Sequence, residues 1–483
     1  MTTDAVAGAG PFALAPAARE LLQRRLAAAI GRARAQRRRV LASVTVEADA
    51  SLDLSAIVLR ARRPDDRFFC LEQPDRGGFA LATLGQAAVV EARGERRLNE
   101  LNAACRALAR DAQVGDPAGD GAAPSAAGPV WVGGLAFAPD GGAAPEWGSL
   151  APAQLVMPEI SLARGGGQAR LTVTAVVDGD EDAGRVAERL HSRLAQLQPA
   201  EMPLLDPDPV QAPHVSGAAP PEHYEGAVER AVERIAGGEI EKVVLAREVR
   251  VHAPAPIDPA PVLDGLRTGF PACYCYCVGT PELAFVGASP ELLIRRDGSR
   301  AQTVALAGTT RRSADPAVDD HLGEQLLQSA KDRGEQAIVS RRIERALRPL
   351  SVWVAAAEQP ALVKVQNVQH LATPIRAQLR EPVALLELAA RLHPTPAVGG
   401  EPTDRALPLI PALEGLDRGW YSGAVGWADL QEDGELCVAL RCALLRERVA
   451  HLYAGCGIVR DSVPAAELAE TEVKLQALLP LLA

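Results

Sequence analysis

The chain of 483 residues is 48% hydrophobic and 23% charged, the balance of a globular protein with a sizeable core, either about three domains or one large α/β domain. A net charge of −10 with only 4% aromatic residues leaves neither a basic stripe nor stacking rings, which argues against nucleic acid as a partner. No apolar run approaches the roughly 18 residues that would cross a bilayer.

The N-terminus lacks the basic, apolar, small-residue order of a secretion signal. The eight cysteines form no CxxC pair, so the chain reads as reduced and cytoplasmic. Arg24–Arg39 predicts an arginine-rich surface helix. Short β-like runs follow at Val40–Val46, Val130–Phe137 and Leu171–Val177. Two stretches read as loops or linkers: Gly115–Gly128, rich in Gly, Ala, Pro and Asp, and Pro199–Pro221, with seven prolines. They divide the chain into a β-rich N-terminal half, residues 1–210, with no chemical motif, and a C-terminal region, residues 211–483.

In that region Tyr224–Gly237 has helical spacing, with Val228, Val232 and Ile235 on one stripe and Gly237-Gly238 ending it. Lys242–Ala246 then suits a buried strand. Further strands are predicted at Tyr274–Gly279, Leu283–Val286, Leu292–Arg295, Gly423–Asp429, Cys437–Leu445 and Val449–Ala454. Helices are predicted at Asp319–Leu347, Pro382–Leu392 and Ala465–Leu479. Strands interrupted by single long helices give an α+β class. The alternation of Cys273, Cys275 and Cys277 with tyrosines puts three sulfurs on one strand face, as a soft-metal site or as small buried residues.

Among 51 basic residues only four are lysine: Lys242, Lys331, Lys364 and Lys474. Where arginine has displaced lysine almost everywhere, the survivors are enriched for positions that need a group able to lose its proton. Lys242 opens the apolar run VVLA, as a desolvated general base or as a solvated strand-end residue. Glu291, after the small-residue turn Gly287-Ala288, is either a carboxyl kept protonated by apolar walls or an ordinary turn glutamate. Ala307–Arg312 offers a glycine, hydroxyls and two guanidiniums, as an anion nest or as a polar turn. Glu335 lies on one predicted helix, and Glu467, Glu470 and Lys474 share a face of another. Carboxylates from two helices suit Mg²⁺ if they converge. His370 and His393 lack zinc spacing and read as structural. Arg441, placed mid-strand in VALRCALL, calls for an anionic partner.

In order and wording, EKVVLAR, FVGASPELLIRR, LAGTTRR, KDRGEQ, QHLATP, LHPTPAVGG, YSGAVGW, LRCALL, YAGCGIV and ELAETEVK resemble the chorismate-utilising enzymes, specifically isochorismate synthases. The resemblance spans about Tyr224 to Leu482. It implies large antiparallel sheets packed face to face, helices outside and a central cleft. It implies that Lys242 deprotonates the water attacking C2 of chorismate and that Glu291 protonates the departing C4 hydroxyl. Glu335 and Glu470 would hold Mg²⁺, with Glu467 nearby. Tyr421, Arg441, Gly455 and Lys474 would grip the substrate carboxylates, and Gly308, Thr309 and His370 would line the ring. Lys242 and Ala307 before Gly-Thr separate the chain from amidotransferase-dependent siblings, and the HPTPAVGG wording is closer to isochorismate synthases than to salicylate synthases. A monomer without an amidotransferase subunit is expected. Tyr421 and Cys456 depart from the usual isochorismate synthase wording, and Tyr421 occurs in salicylate synthases. Salicylate synthase and a non-catalytic chorismate-binding protein are therefore the alternatives.

Overall fold

The apolar runs pair into two large antiparallel sheets, of twelve and ten strands among the described residues. The structure, a computed structural model, describes residues 10–115, 123–205 and 211–482. Residues 116–122 and 206–210 of the two predicted linkers lie outside that description.

Both sheets run through the boundary between the N-terminal half and the C-terminal region. In the first, Phe68–Gln73 pairs with Tyr274–Gly279, setting Cys70 opposite Cys277. The sheet continues through Ala284–Ser289, Cys442–Arg446 and Val449–Ile458 to Lys242–His252. In the second, Val130–Leu135 pairs with Ala424–Asp429, with Gly133 opposite Gly426. Gly434–Val438, Leu292–Asp297, Arg300–Arg311 and Val368–Leu379 follow in order.

The sheets bury a core between them that joins Phe69, Tyr276, Phe285 and Leu444 of the first to Val132, Val425 and Trp427 of the second. The first sheet packs its other face under helices Pro16–Gln36, Leu54–Ala61, Ala183–Leu194 and Pro259–Gly269. Helices Arg97–Ala109, Ala330–Leu347 and Leu385–Leu392 help cover the second. The α+β architecture with face-to-face sheets is therefore the one expected. Scarce aromatics are concentrated between the sheets. Trp147 stacks on Tyr453 at 5.7 Å, and Tyr453 stacks on Tyr421 at 5.3 Å. Each such contact adds about 1 kcal/mol beyond area burial, and the stack fixes the Tyr421 ring from behind.

Four local expectations are corrected. The helix predicted over Asp319–Leu347 is two, Pro316–Gln328 and Ala330–Leu347. Ser329 leaves the helical region and caps the second helix, accepting from the Asp332 N–H. The strand predicted over Cys437–Leu445 is also two: Gly434–Val438 in the second sheet and Cys442–Arg446 in the first. Arg441 lies between them at φ 48°, not mid-strand. Gly287-Ala288 is not a turn but part of strand Ala284–Ser289, where Ala288 N–H donates to Arg441 O. Ala307–Arg311 is likewise not a free nest, because strand Val368–Leu379 pairs with its backbone. Arg312 is taken up by Asp319 at 2.7 Å.

The three cysteines at 273, 275 and 277 are buried in the core of the first sheet, free and without a metal grouping among the described residues. Burial pushes their thiols up, Cys273 to about 11 and Cys277 to about 12. They are packing residues.

Candidate active site

A cleft of about 820 Å³ opens where the chain crosses from one sheet to the other. Glu291 lies on the crossing from Ala284–Ser289 to Leu292–Asp297, and Arg441 on the return from Gly434–Val438 to Cys442–Arg446. The crossings are tied together: Val438 N–H donates to Glu291 O, and Ala288 N–H donates to Arg441 O, each at 3.0 Å. Two chemically distinct side chains are thereby fixed by backbone that has left one ladder and not yet joined the next.

Lys242 begins strand Lys242–His252 and is fully buried. Its Nζ lies 2.8 Å from Glu335 Oε1 without a directed hydrogen bond. Gly457, on the neighbouring strand, makes this pair possible. A Cβ there would sit 2.1 Å from Glu335 Oε1 and 2.8 Å from Lys242 Cε. Glu291 is 3% exposed, and burial pushes its carboxyl up to about 8 against the opposing pull of Lys242 and Lys474. At neutral pH it holds a proton that it can donate.

Arg441 is buried, and burial lowers its pKa. It donates to His370 Nε2 at 2.7 Å and to Asn367 Oδ1 at 3.3 Å. No carboxylate of the described residues forms an ion pair with it. That leaves a charge whose partner must come from outside the chain. Because Nε2 of His370 accepts from Arg441, Nδ1 carries the hydrogen. It points to Gly308 O at 3.3 Å and Thr309 Oγ1 at 3.1 Å. Burial and the Arg441 charge hold His370 far below its ordinary value, so it is neutral. Gly308 forms the bulge that breaks the register between Ala307 and Thr309, at φ 76°, a conformation glycine adopts without strain. The bulge lies in the part of this strand, Leu306–Thr309, that lines the cleft.

The remaining expected residues arrive with helix Pro464–Leu475. Glu467, Thr471 and Leu475 form its buried stripe, so the helix presents acid where an ordinary amphipathic helix presents apolar groups. Three of the four lysines each lie 2.8 Å from one of the three glutamates: Lys242 with Glu335, Lys331 with Glu467 and Lys474 with Glu470. Burial pushes Glu467 up, and its hydrogen bond from Lys331 offsets this only in part. Burial also acts to raise Glu470, but the charge and hydrogen bond of Lys474 outweigh it and the group is lowered. Lys474 also donates to Gly455 O at 2.8 Å. The fourth lysine, Lys364, binds Asp319 and Asp320 outside the cleft.

Glu467, Glu470 and Cys456 offer ligand atoms within 4.8 Å of one another. Burial keeps the Cys456 thiol far above its ordinary value and protonated, so the usable donors are carboxylate oxygens. Such a set suits a hard cation rather than a thiolate-bound soft one. Glu335 lines the same cleft but stands apart from this cluster, held by Lys242.

Eleven of the twelve expected site residues line the cleft, and the twelfth, Lys242, reaches it through Glu335. Sequence reading missed Asp332, Ser422, Tyr453 and Gly457. Asp332 precedes Glu335 by three residues and so shares its helix face, a signal present in KDRGEQ. Ser422 adjoins Tyr421, and its buried hydroxyl has no partner. Tyr453 enters through its register opposite Cys442, which no local pattern encodes.

Residues 26–483 match the model of the chorismate binding enzyme family, and the chain belongs to that family. Within it, the chain is similar to isochorismate synthases. It is 37% identical to the salicylate biosynthesis isochorismate synthase of Pseudomonas aeruginosa over 93% of this chain and 92% of that one. It is 36% identical to isochorismate synthase MenF of Bacillus subtilis over 73% and 74% of the two chains. The solved structure of MenF, the menaquinone-specific isochorismate synthase of Escherichia coli, superposes with a TM-score of 0.76 at 27% identity. That match covers 92% of this chain and 95% of that one.

Proposed function

We propose that the chain is an isochorismate synthase that, with Mg²⁺, adds water to C2 of chorismate and releases the C4 hydroxyl. The observation that carries this reading is one cleft lined by a protonated buried acid, Glu291, and a guanidinium, Arg441, with no carboxylate of its own, and backed by a fully buried amine, Lys242, that reaches it through Glu335. A site for binding alone would need no acid/base pair.

Chorismate is a small dianion. Arg441 and the charged Lys474 grip its carboxylates, while His370, Thr309 and the Gly308 bulge border the ring. Lys242 takes a proton from the attacking water. Glu291 gives its proton to the C4 oxygen, which leaves as water while the ring double bonds shift. One water enters and one departs, with a net proton moved from Glu291 to Lys242 that solvent returns between turnovers. Each of the two groups contributes on the order of 10²–10⁴ in rate. Glu467 and Glu470 would hold Mg²⁺, with Glu335 of the same cleft as a further carboxylate, and the ion when bound neutralises the ring carboxylate and fixes the ring. With water as nucleophile, no ammonia-supplying subunit is required. The product suits a menaquinone, siderophore or salicylate route.

Incubation of the purified chain with chorismate and Mg²⁺ tests the reading, with isochorismate expected and no pyruvate. Fluorescent salicylate with stoichiometric pyruvate would make it a salicylate synthase. Binding without conversion would make it a chorismate-binding protein, and ammonium-dependent anthranilate formation would assign it to the amidotransferase-linked siblings.

A further inference from the structure

A second cavity, roomier than the cleft, lies between the start of helix Arg97–Ala109, the Phe137–Gly141 loop and the Leu407–Gly419 segment. Its walls include Leu98, Phe137, Pro394, Ile410 and Leu416. Arg97 also lines it, only 7% exposed. A guanidinium has five N–H donors, yet Arg97 makes one side-chain hydrogen bond, from Nη2 to Ala136 O at 3.2 Å. Its buried Nε has no partner, and no carboxylate of the described residues forms an ion pair with it. An unpaired buried charge is costly unless an anion meets it.

Two further observations point the same way. Arg97 is the first residue of its helix, and Arg96 at the N-cap gives no side-chain hydrogen bond. The Arg97 N–H is taken by Gly94 O at 3.1 Å, and the positive end of the helix adds to the guanidinium. The cavity's other cation, Arg418, is already neutralised by Glu414. Asp417 is likewise occupied, accepting from the N–H groups of Gly142, Ala144 and Gly419.

We propose that this cavity binds a small apolar carboxylic acid as its monoanion, with Arg97 as the charge partner and the apolar walls around its body. Glu95 and Asp140, exposed at the rim, disfavour phosphate esters and other polyanions. The cavity shares a wall with the cleft. The Arg418 guanidinium lies 4.3 Å from the Phe137 ring centre and 5.8 Å from that of Tyr421. His393 Nε2, on the same wall, donates to Ser422 O at 2.9 Å. The inference is independent of which reaction the cleft performs.

The probe is 3-fluorobenzoate, followed by ¹⁹F NMR titration of the full chain, with inorganic phosphate as the polyanion control. The cleft also accepts carboxylates, so Arg441→Met is used to remove that contribution. A bound signal should persist in Arg441→Met and weaken at least tenfold in Arg97→Gln. It should also vanish in Ile410→Trp, which fills the cavity should Arg97→Gln fail to fold. Turnover by Arg97→Gln should stay within twofold of the parent chain. Binding that is lost in Arg441→Met and kept in Arg97→Gln would overturn the proposal, as would phosphate competing as well as benzoate.

Discussion

Replacing Glu291 by glutamine keeps the shape and hydrogen-bonding capacity of the side chain and removes its titration. In the folded chain burial holds this carboxyl up at about 8, against an ordinary value of 4.5. Below pH 4.5 the carboxyl is protonated whether the chain is folded or not, so pH does not separate variant from parent. Above it the unfolded carboxyl ionises while the folded one keeps its proton. The parent chain then loses stability relative to Glu291→Gln by about 1.4 kcal/mol per pH unit. The divergence ends once the folded carboxyl ionises, and by then it totals about 5 kcal/mol on the same linkage. Urea unfolding of both chains between pH 4 and 9, in chelator, measures the difference directly. Turnover by the variant should fall by at least about 10², and the parent should lose activity as pH rises through about 8. A stability difference that stays flat with pH would refute the argument that Glu291 is a buried, protonated acid.

Other substitutions separate the remaining roles. Lys242→Gln should cost at least about 10² in turnover with little change in substrate affinity. Lys242→Arg should be nearly as damaging, because arginine retains its proton and is bulkier beside Gly457; near-normal kcat in either variant would remove the base assignment. Gly457→Ala places a methyl 2.1 Å from Glu335 Oε1, so activity should fall at least tenfold in a folded protein, as checked by steady-state kinetics and circular dichroism. Arg441→Met removes an unpaired buried charge. KM for chorismate should rise by at least about 10-fold while thermal stability holds or increases; a lower Tm with unchanged KM would make Arg441 structural. Chelation should abolish turnover, and Mg²⁺ should restore it without refolding.

Much of the cleft was legible because its chemistry departs from composition. Lysine survives in this arginine-rich chain at four places, and three of them proved to face site carboxylates. Acidic residues on the inward stripe of helix Pro464–Leu475 similarly broke the amphipathic pattern. What periodicity could not convey was the change of sheet. VALRCALL reads as one strand because residues on both sides of Arg441 are apolar for separate reasons, each side belonging to a different ladder. Likewise LAGTTRR reads as a turn, since its glycine and hydroxyls mask pairing with a strand about 60 residues later in the chain. The Ser329 break was available locally, in a serine followed three residues later by an aspartate, but the surrounding helical charge pattern concealed it. The way the N-terminal half completes both sheets depends on long-range register, such as Cys70 opposite Cys277, for which no local signal exists.

The claim that Lys242 delivers water to one ring carbon while Glu291 expels the hydroxyl from another is tested most directly by running the reaction in H₂¹⁸O with Mg²⁺. Mass spectrometry of the product should show isochorismate carrying one ¹⁸O atom, at the new C2 hydroxyl, with none yet incorporated into recovered chorismate at early times. Isochorismate formed without label would mean that the hydroxyl migrates rather than exchanges with solvent, and would contradict the assignment of both residues.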